Sequence, residues 1–178
     1  TTATSVGQVV VQMPDDITMS GPTSWSGIVN LPTVQETSSV TIPAAENTVN
    51  TVSKVIEICF GDTRLTFTKA VRIEIDGEAG KLVGYSRAGT FTEITTICTN
   101  DTQATNNNLP DGGDCKISDD GDGDLVIWTK HFTRFASFTS SSTAAGPSAG
   151  GHSTGVGPSG RAGFGGILEP TTPIEETI

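Results

Sequence analysis

Four carboxylates within six residues, Asp119, Asp120, Asp122 and Asp124, stand directly before a strand-forming run, "DLVIWTKHFT", that carries His131 and Thr133. Aspartates at alternate positions with glycine between them can turn several oxygens toward one point, the arrangement that a hard cation such as Ca²⁺ takes. Asp111 and Asp114 lie close enough in sequence to complete a shell. The pattern is not an EF-hand: Leu125 follows Asp124 where a glycine is needed, and no glutamate follows at the required spacing. Asp-Gly pairs are also ordinary turn residues, so an acidic, solvated hairpin turn is the preferred reading, with Ca²⁺ as the one cofactor the residues suggest.

His131 raises a second chemistry. Catalysis needs a nucleophile, a base and an orienting group that converge. His131 with Thr133 or Asp124 offers the residue types. The chain has no strand–nucleophile–helix turn, no phosphate-cradling glycine loop followed by a helix, and no HExxH motif. The other histidine, His152, falls in a glycine-rich tract. A turnover enzyme is therefore not expected, and His131 is read as a structural, hydrogen-bonding residue.

The elements that must position these residues are strands. Threonine accounts for 28 of the 178 residues and is interleaved with Val and Ile. β-Branched side chains lose rotamer freedom in helices but pack well on a pleated surface. "PAAENTVNTVSKV" is the one weak helical pattern. "AVRIEIDG" alternates cleanly, with Val71, Ile73 and Ile75 on one side and Arg72 and Glu74 on the other. Short strands broken by turns every eight to twelve residues indicate an all-β fold, a β-sandwich of immunoglobulin-like or related type. "DLVIWT" is continuously apolar, which suggests burial on both faces. Lys130 and Arg134 interrupt its parity, so a bulge or bend is expected at 130–134.

Four regions follow. Residues 1–45 are extended N-terminal strands punctuated by Pro14, Pro22, Pro32 and Pro43. Residues 46–139 form the sandwich core. Residues 140–166 are a Gly/Ser/Thr-rich linker, and residues 167–178 an extended, strand-like tail.

The formal charge is −10, with ten Lys and Arg in all. Such a surface repels nucleic acid and anionic membrane. No apolar run approaches the length needed to cross a bilayer. Cys98 and Cys115 flank a polar loop, "TNDTQATNNNLPDGGD", whose closure by a disulfide would contribute roughly 3 kcal/mol in the chain-entropy model. Cys59, in "VIEICFGD", is read as a buried free thiol. The start "TTATSVG" has the look of a mature or trimmed product. With the sequon at Asn100, a candidate glycosylation site, these features point to an extracellular or cell-surface protein.

Two resemblances add to this. "FTKAVRIEIDGEAGKLVGYSRAGTFTEITTIC", "GGDCKI" and "GDLVIWTKHFTRFASF" together resemble a β-sandwich module of predicted surface proteins from uncultivated bacteria and archaea, over about residues 55–139. That resemblance implies pairing of Cys98 with Cys115, core roles for Trp128 and Phe132, and a surface or adhesive location. The tripeptide His131-Phe132-Thr133 resembles the His-Phe-Ser self-cleavage site of ZU5-like β-sandwich domains, with Thr in place of Ser. There the hydroxyl attacks the preceding peptide and the resulting ester hydrolyses.

The leading expectation is the structural subunit of an extracellular filament or surface layer whose partners are copies of itself. A terminal segment of one copy would add a strand to the next, with Val9, Val11 and Met13, or Ile167 and Leu168, filling alternate pockets. The alternatives are an adhesion or ligand-binding module and a domain that cleaves itself at Phe132-Thr133.

Overall fold

The computed structural model describes residues 2–6, 9–58 and 64–143, and these form two antiparallel β-sheets. In chain order the strands are β1 (Thr2–Val6), β2 (Val9–Met13), β3 (Met19–Ser20), β4 (Thr33–Gln35), β5 (Thr48–Glu57), β6 (Leu65–Ile75), β7 (Leu82–Arg87), β8 (Thr90–Glu93), β9 (Asp114–Ile117), β10 (Leu125–Phe132) and β11 (Arg134–Ser142). The first sheet runs β1-β2-β6-β10-β9, with β3 also on β6; the second runs β4-β5-β11-β7-β8. The all-β sandwich is thus the fold. The weak helical pattern at 43–55 resolves into the start of β5, because Val55 and Ile56 face opposite sides of a sheet that buries both.

Alternation along β6 explains how the core divides. Its odd positions, Leu65, Phe67, Val71, Ile73 and Ile75, meet Ile56, Val83 and Phe135 of the other sheet in the main core. The opposite face of the first sheet carries Ala70, Val126 and Trp128, and these pack with Cys98 and Cys115. The loop between the two cysteines, with the short helix α1 (Gln103–Asn106), supplies that second layer, which is why β10 is buried along all eight residues. The opposite face of the second sheet is covered by Val40 and Ile42, which pack against Val55 and Ala136.

The N-terminal region belongs to the sandwich rather than flanking it. Val9 pairs with Ile75 and Val11 with Ile73, and both valines are buried in the main core. At the other end, β11 continues to Ser142, in register with Thr48. The composition places a linker from residue 140, but Ser140, Ser141 and Ser142 are still strand. Backbone pairing to β5 holds them although their side chains are exposed.

β10 and β11 are consecutive in the chain yet lie in different sheets. One residue, Thr133, joins them. Just before it the register of β10 on β6 shifts between Thr129 and His131, where a bulge or bend is expected from the parity break. The crossing is also central. β10 sits between β6 and β9, and β11 between β5 and β7.

Candidate functional site

The stretch from Ser118 to Thr133 contributes two polar clusters of different character. The first is the acidic turn. Gly121 and Gly123 adopt φ of 102° and 95°, a region that side chains disfavour, and this lets the chain fold tightly between β9 and β10. The carboxylates then serve the turn's own backbone. Asp119 Oδ1 accepts from the N–H of Gly121 at 2.9 Å, and Asp120 Oδ1 from those of Asp122 and Asp124 at 3.1 and 3.3 Å. Asp124 Oδ1 accepts from the N–H of Gly77 at 2.9 Å, tying the turn to the end of β6.

Asp120 and Asp124 do approach one another, joined by Glu74 of β6, with one oxygen of each within 4.8 Å of the others. Asp119, Asp122, Asp111 and Asp114 are outside that group. Where the sequence suggested four aspartates, the carboxylate oxygens that come together among the described residues are those of two aspartates and a glutamate. A counter-charge already stands there. Arg72 donates to Glu74, bonds Asp101 through Nη2 at 2.8 Å, and lies 3.5 Å from Asp120 Oδ2. Burial alone would raise the Asp101 carboxyl, but hydrogen bonds from Arg72 and Trp128 outweigh it and lower it below its ordinary value. Glu74 and Arg72 are missing from any sequence-derived site because only the register of β6 on β10, which pairs Val126 with Glu74, brings them to the turn.

The second cluster surrounds the crossing. His131 is fully buried, and its Nε2 is 3.2 Å from Asp114 Oδ2. The imidazole packs edge-on to Tyr85, at 4.7 Å between centroids, and stacks on Phe135 at 5.8 Å. In the neutral tautomer that donates Nε2–H to the carboxylate, Nδ1 is the nitrogen left without a proton. It is buried without a hydrogen-bond partner among the described residues. A buried polar atom in that state is costly and unusual in a native fold.

Thr133 is 3 % exposed, and its hydroxyl donates to the carbonyl of Ser86 at 2.8 Å. Its own carbonyl accepts from Ile58 N–H at 3.3 Å. Tyr85 and Ser86 are neighbours on β7, so His131 and Thr133 are held against the same two-residue segment. Phe132 between them turns into the main core, with its ring 4.5 Å from that of Phe67. Asp114 is the partner that sequence reasoning did not assign to His131. Its signal was adjacency to Cys115, which fixes its strand.

The remaining candidates are dispersed. Cys98 and Cys115 form a disulfide, as expected, and its burial points to an oxidising environment. Asn100 is exposed, and its side-chain oxygen accepts from the Thr102 hydroxyl at 2.7 Å. Val9 and Val11 fill the chain's own core and Met13 packs against it, so donating them to another copy would require β2 to leave its sheet. Cys59, His152, Ile167 and Leu168 lie outside the described residues. No described helix is long and apolar enough to cross a membrane. No family model, curated protein or solved structure matches the chain with significance.

Proposed function

We propose that this is a self-processing β-sandwich domain of an extracellular or cell-surface protein, cut between Phe132 and Thr133. One observation carries the reading. At the single-residue crossing between the sheets, a buried histidine has one nitrogen held by a carboxylate and the other without a partner among the described residues, two residues from a buried hydroxyl. The residue types of a nucleophile and a base thereby stand two positions apart at one crossing, with a carboxylate on the neighbouring strand to orient the base.

The chemistry balances within the chain and one water. Rotation of the Thr133 side chain releases its hydroxyl from Ser86. Thr133 Oγ attacks the carbonyl carbon of Phe132 and passes its proton to His131 Nδ1. The C–N bond breaks as His131 returns the proton to the Thr133 nitrogen, leaving an ester between Phe132 and Thr133 Oγ. Water then cleaves the ester, giving a Phe132 carboxylate and a free Thr133 amine and hydroxyl. Asp114 holds the imidazole in the tautomer that leaves Nδ1 open. The event happens once per chain, so the domain is not a turnover enzyme.

The test is a denaturing gel with N-terminal sequencing. Two fragments, the second beginning at Thr133, support the reading, and Thr133→Ala leaves one intact chain while Thr133→Ser still cuts. An intact wild-type chain after prolonged folded incubation overturns it.

A second reading, the subunit of an extracellular filament or surface layer, is favoured by an open edge. β4 pairs only with residues 55–57 of the ten-residue β5, and among the described residues no strand pairs with that side of residues 48–54. A strand supplied by another copy could add there, with Ile167 and Leu168 as its apolar anchors. Electron microscopy of native material decides it, through fibres or sheets against dispersed particles.

A further inference from the structure

We propose that the Cys98–Cys115 disulfide switches on cleavage at Phe132-Thr133 by holding Asp114 against His131, which makes Asp114 the positioning residue of the site. The inference rests on the self-processing reading and names what regulates it.

Asp114 is the first residue of β9, a strand of four residues on the outer side of β10. It follows "PDGG", in which Gly112 has a φ of 66° and Gly113 donates to the Pro110 carbonyl and accepts from the Lys130 N–H, each at 2.9 Å. Its own ladder contact is to Thr129, the last pair before the register of β10 shifts. The next residue, Cys115, is tied to Cys98, seventeen positions earlier. Cys98 in turn is anchored beyond β9 by its N–H to the Lys116 carbonyl at 2.9 Å. The covalent bridge therefore sits one residue from the carboxylate that orients the base.

Opening the bridge restores the freedom of the loop it closes, and short edge strands open at lower cost than central ones. Once β9 drifts, Nε2–H of a fully buried imidazole loses its acceptor. The proton is then free to sit on Nδ1, the nitrogen that must be empty to accept the Thr133 proton. Oxidation of the two thiols sends two electrons and two protons to a small-molecule or protein disulfide. The cut is thereby deferred until the chain has reached an oxidising compartment.

The experiment uses the full chain, prepared uncut under denaturing, reducing conditions and refolded either in dithiothreitol or in a glutathione redox buffer. Fragment formation is timed on denaturing gels, with circular dichroism confirming that each sample is folded. The oxidised wild type should cut at least tenfold faster than the reduced one. Asp114→Asn should cut slowly and at one rate in both buffers, and Asp114→Glu should recover most of the oxidised rate. Equal rates for the two wild-type forms, or a disulfide acceleration that persists in Asp114→Asn, would overturn the proposal.

A wild type that stays whole in both buffers overturns the self-processing reading, and the coupling is then read directly. ¹⁵N spectra of His131 should show the Nε2–H tautomer when oxidised and a mixture when reduced. An identical tautomer in both states sinks the coupling.

Discussion

The acidic turn at 119–124 and the crossing at 131–133 lie within fifteen residues of each other, and each contains the residue types of a site. They differ in what is left unsatisfied. In the turn, Asp119, Asp120 and Asp124 accept from backbone N–H groups, and the charge gathered with Glu74 is met by Arg72. At the crossing, a fully buried imidazole retains a nitrogen unpartnered among the described residues, beside a one-residue joint between two sheets. Concentrated charge is a weak guide to function when the local backbone can absorb it. A costly, unused valence in the interior is a stronger one.

The largest test of this contrast is to exchange the two losses. His131→Gln keeps a side chain able to hydrogen-bond Asp114 but removes the proposed base, and on the self-processing reading it should slow fragment formation at least a hundredfold, within the range that a positioned general base supplies. The double replacement Asp119→Asn/Asp122→Asn should leave the rate within twofold. Timed denaturing gels measure both. A turn variant as damaging as the histidine variant would erase the distinction between the regions.

Arg72 allows the turn to be broken through its counter-charge. Arg72 is 9 % exposed, and its guanidinium serves Asp101, Glu74 and Asp120 together. Arg72→Met keeps the apolar stem and strands three carboxylates, at a cost of about 2–3 kcal/mol after allowing for the partial exposure of Asp101. Urea unfolding should show a lower midpoint at unchanged slope. Cleavage in the folded fraction should persist, because the bonds of Arg72 run to Asp101, Glu74 and Asp120 and not to His131 or Thr133.

How far the sequence could anticipate this contrast follows from what is local. The strands came from alternation and turn residues, and the disulfide from two cysteines around a polar loop. The bend at 130–134 was visible as a parity break. Its consequence was not. That β10 and β11 belong to different sheets depends on β11 pairing with Lys54 and Val83 and β10 with Ile73, contacts made across dozens of residues. The same non-locality hid Asp114 from His131 and Glu74 from Asp120. N-terminal valines that read as a segment to be donated became core once β2 found β6. Alternation says that a strand has an apolar face; it does not say which sheet buries it.

Acid provides a milder probe of buried charge, at Glu78, whose neighbours Gly77 and Ala79 hydrogen-bond to the acidic turn. Glu78 is buried among Ser137, Lys81 and Ser53, with Ser137 Oγ donating at 2.6 Å. Burial would raise its carboxyl, yet the hydrogen bonds from Ser137, Lys81 and Ser53 hold it below its ordinary 4.5. A depressed folded-state pKa gives stability that is present above about pH 4.5 and lost as pH falls through the lower folded value. Asp101, lowered from 3.8 in the folded protein, acts in the same direction at lower pH. Glu78→Gln should cost about 1–2 kcal/mol at pH 7 and progressively less below about pH 4, measured by urea titration across pH. A cost independent of pH would mean that the ion is not what stabilises the loop.

The smallest expected effect is the most direct check on the turn. Asp122 is exposed and lies outside the Glu74 group, and it joins the turn through its backbone N–H, which donates to Asp120 Oδ1. That bond survives replacement of the side chain. Asp122→Asn should therefore change stability by less than about 0.5 kcal/mol, as surface replacements without a special role do. Millimolar Ca²⁺ against chelator should likewise shift the melting temperature by less than about 1 °C, because an ion binding only the folded state stabilises by mass action and Arg72 already meets the charge it would neutralise. A Ca²⁺-dependent rise of several degrees, abolished by Asp120→Asn but not by Asp122→Asn, would place a cation among Glu74, Asp120 and Asp124. Arg72 would then have to move aside to admit it, and the turn would join the crossing as a candidate site instead of serving as its contrast.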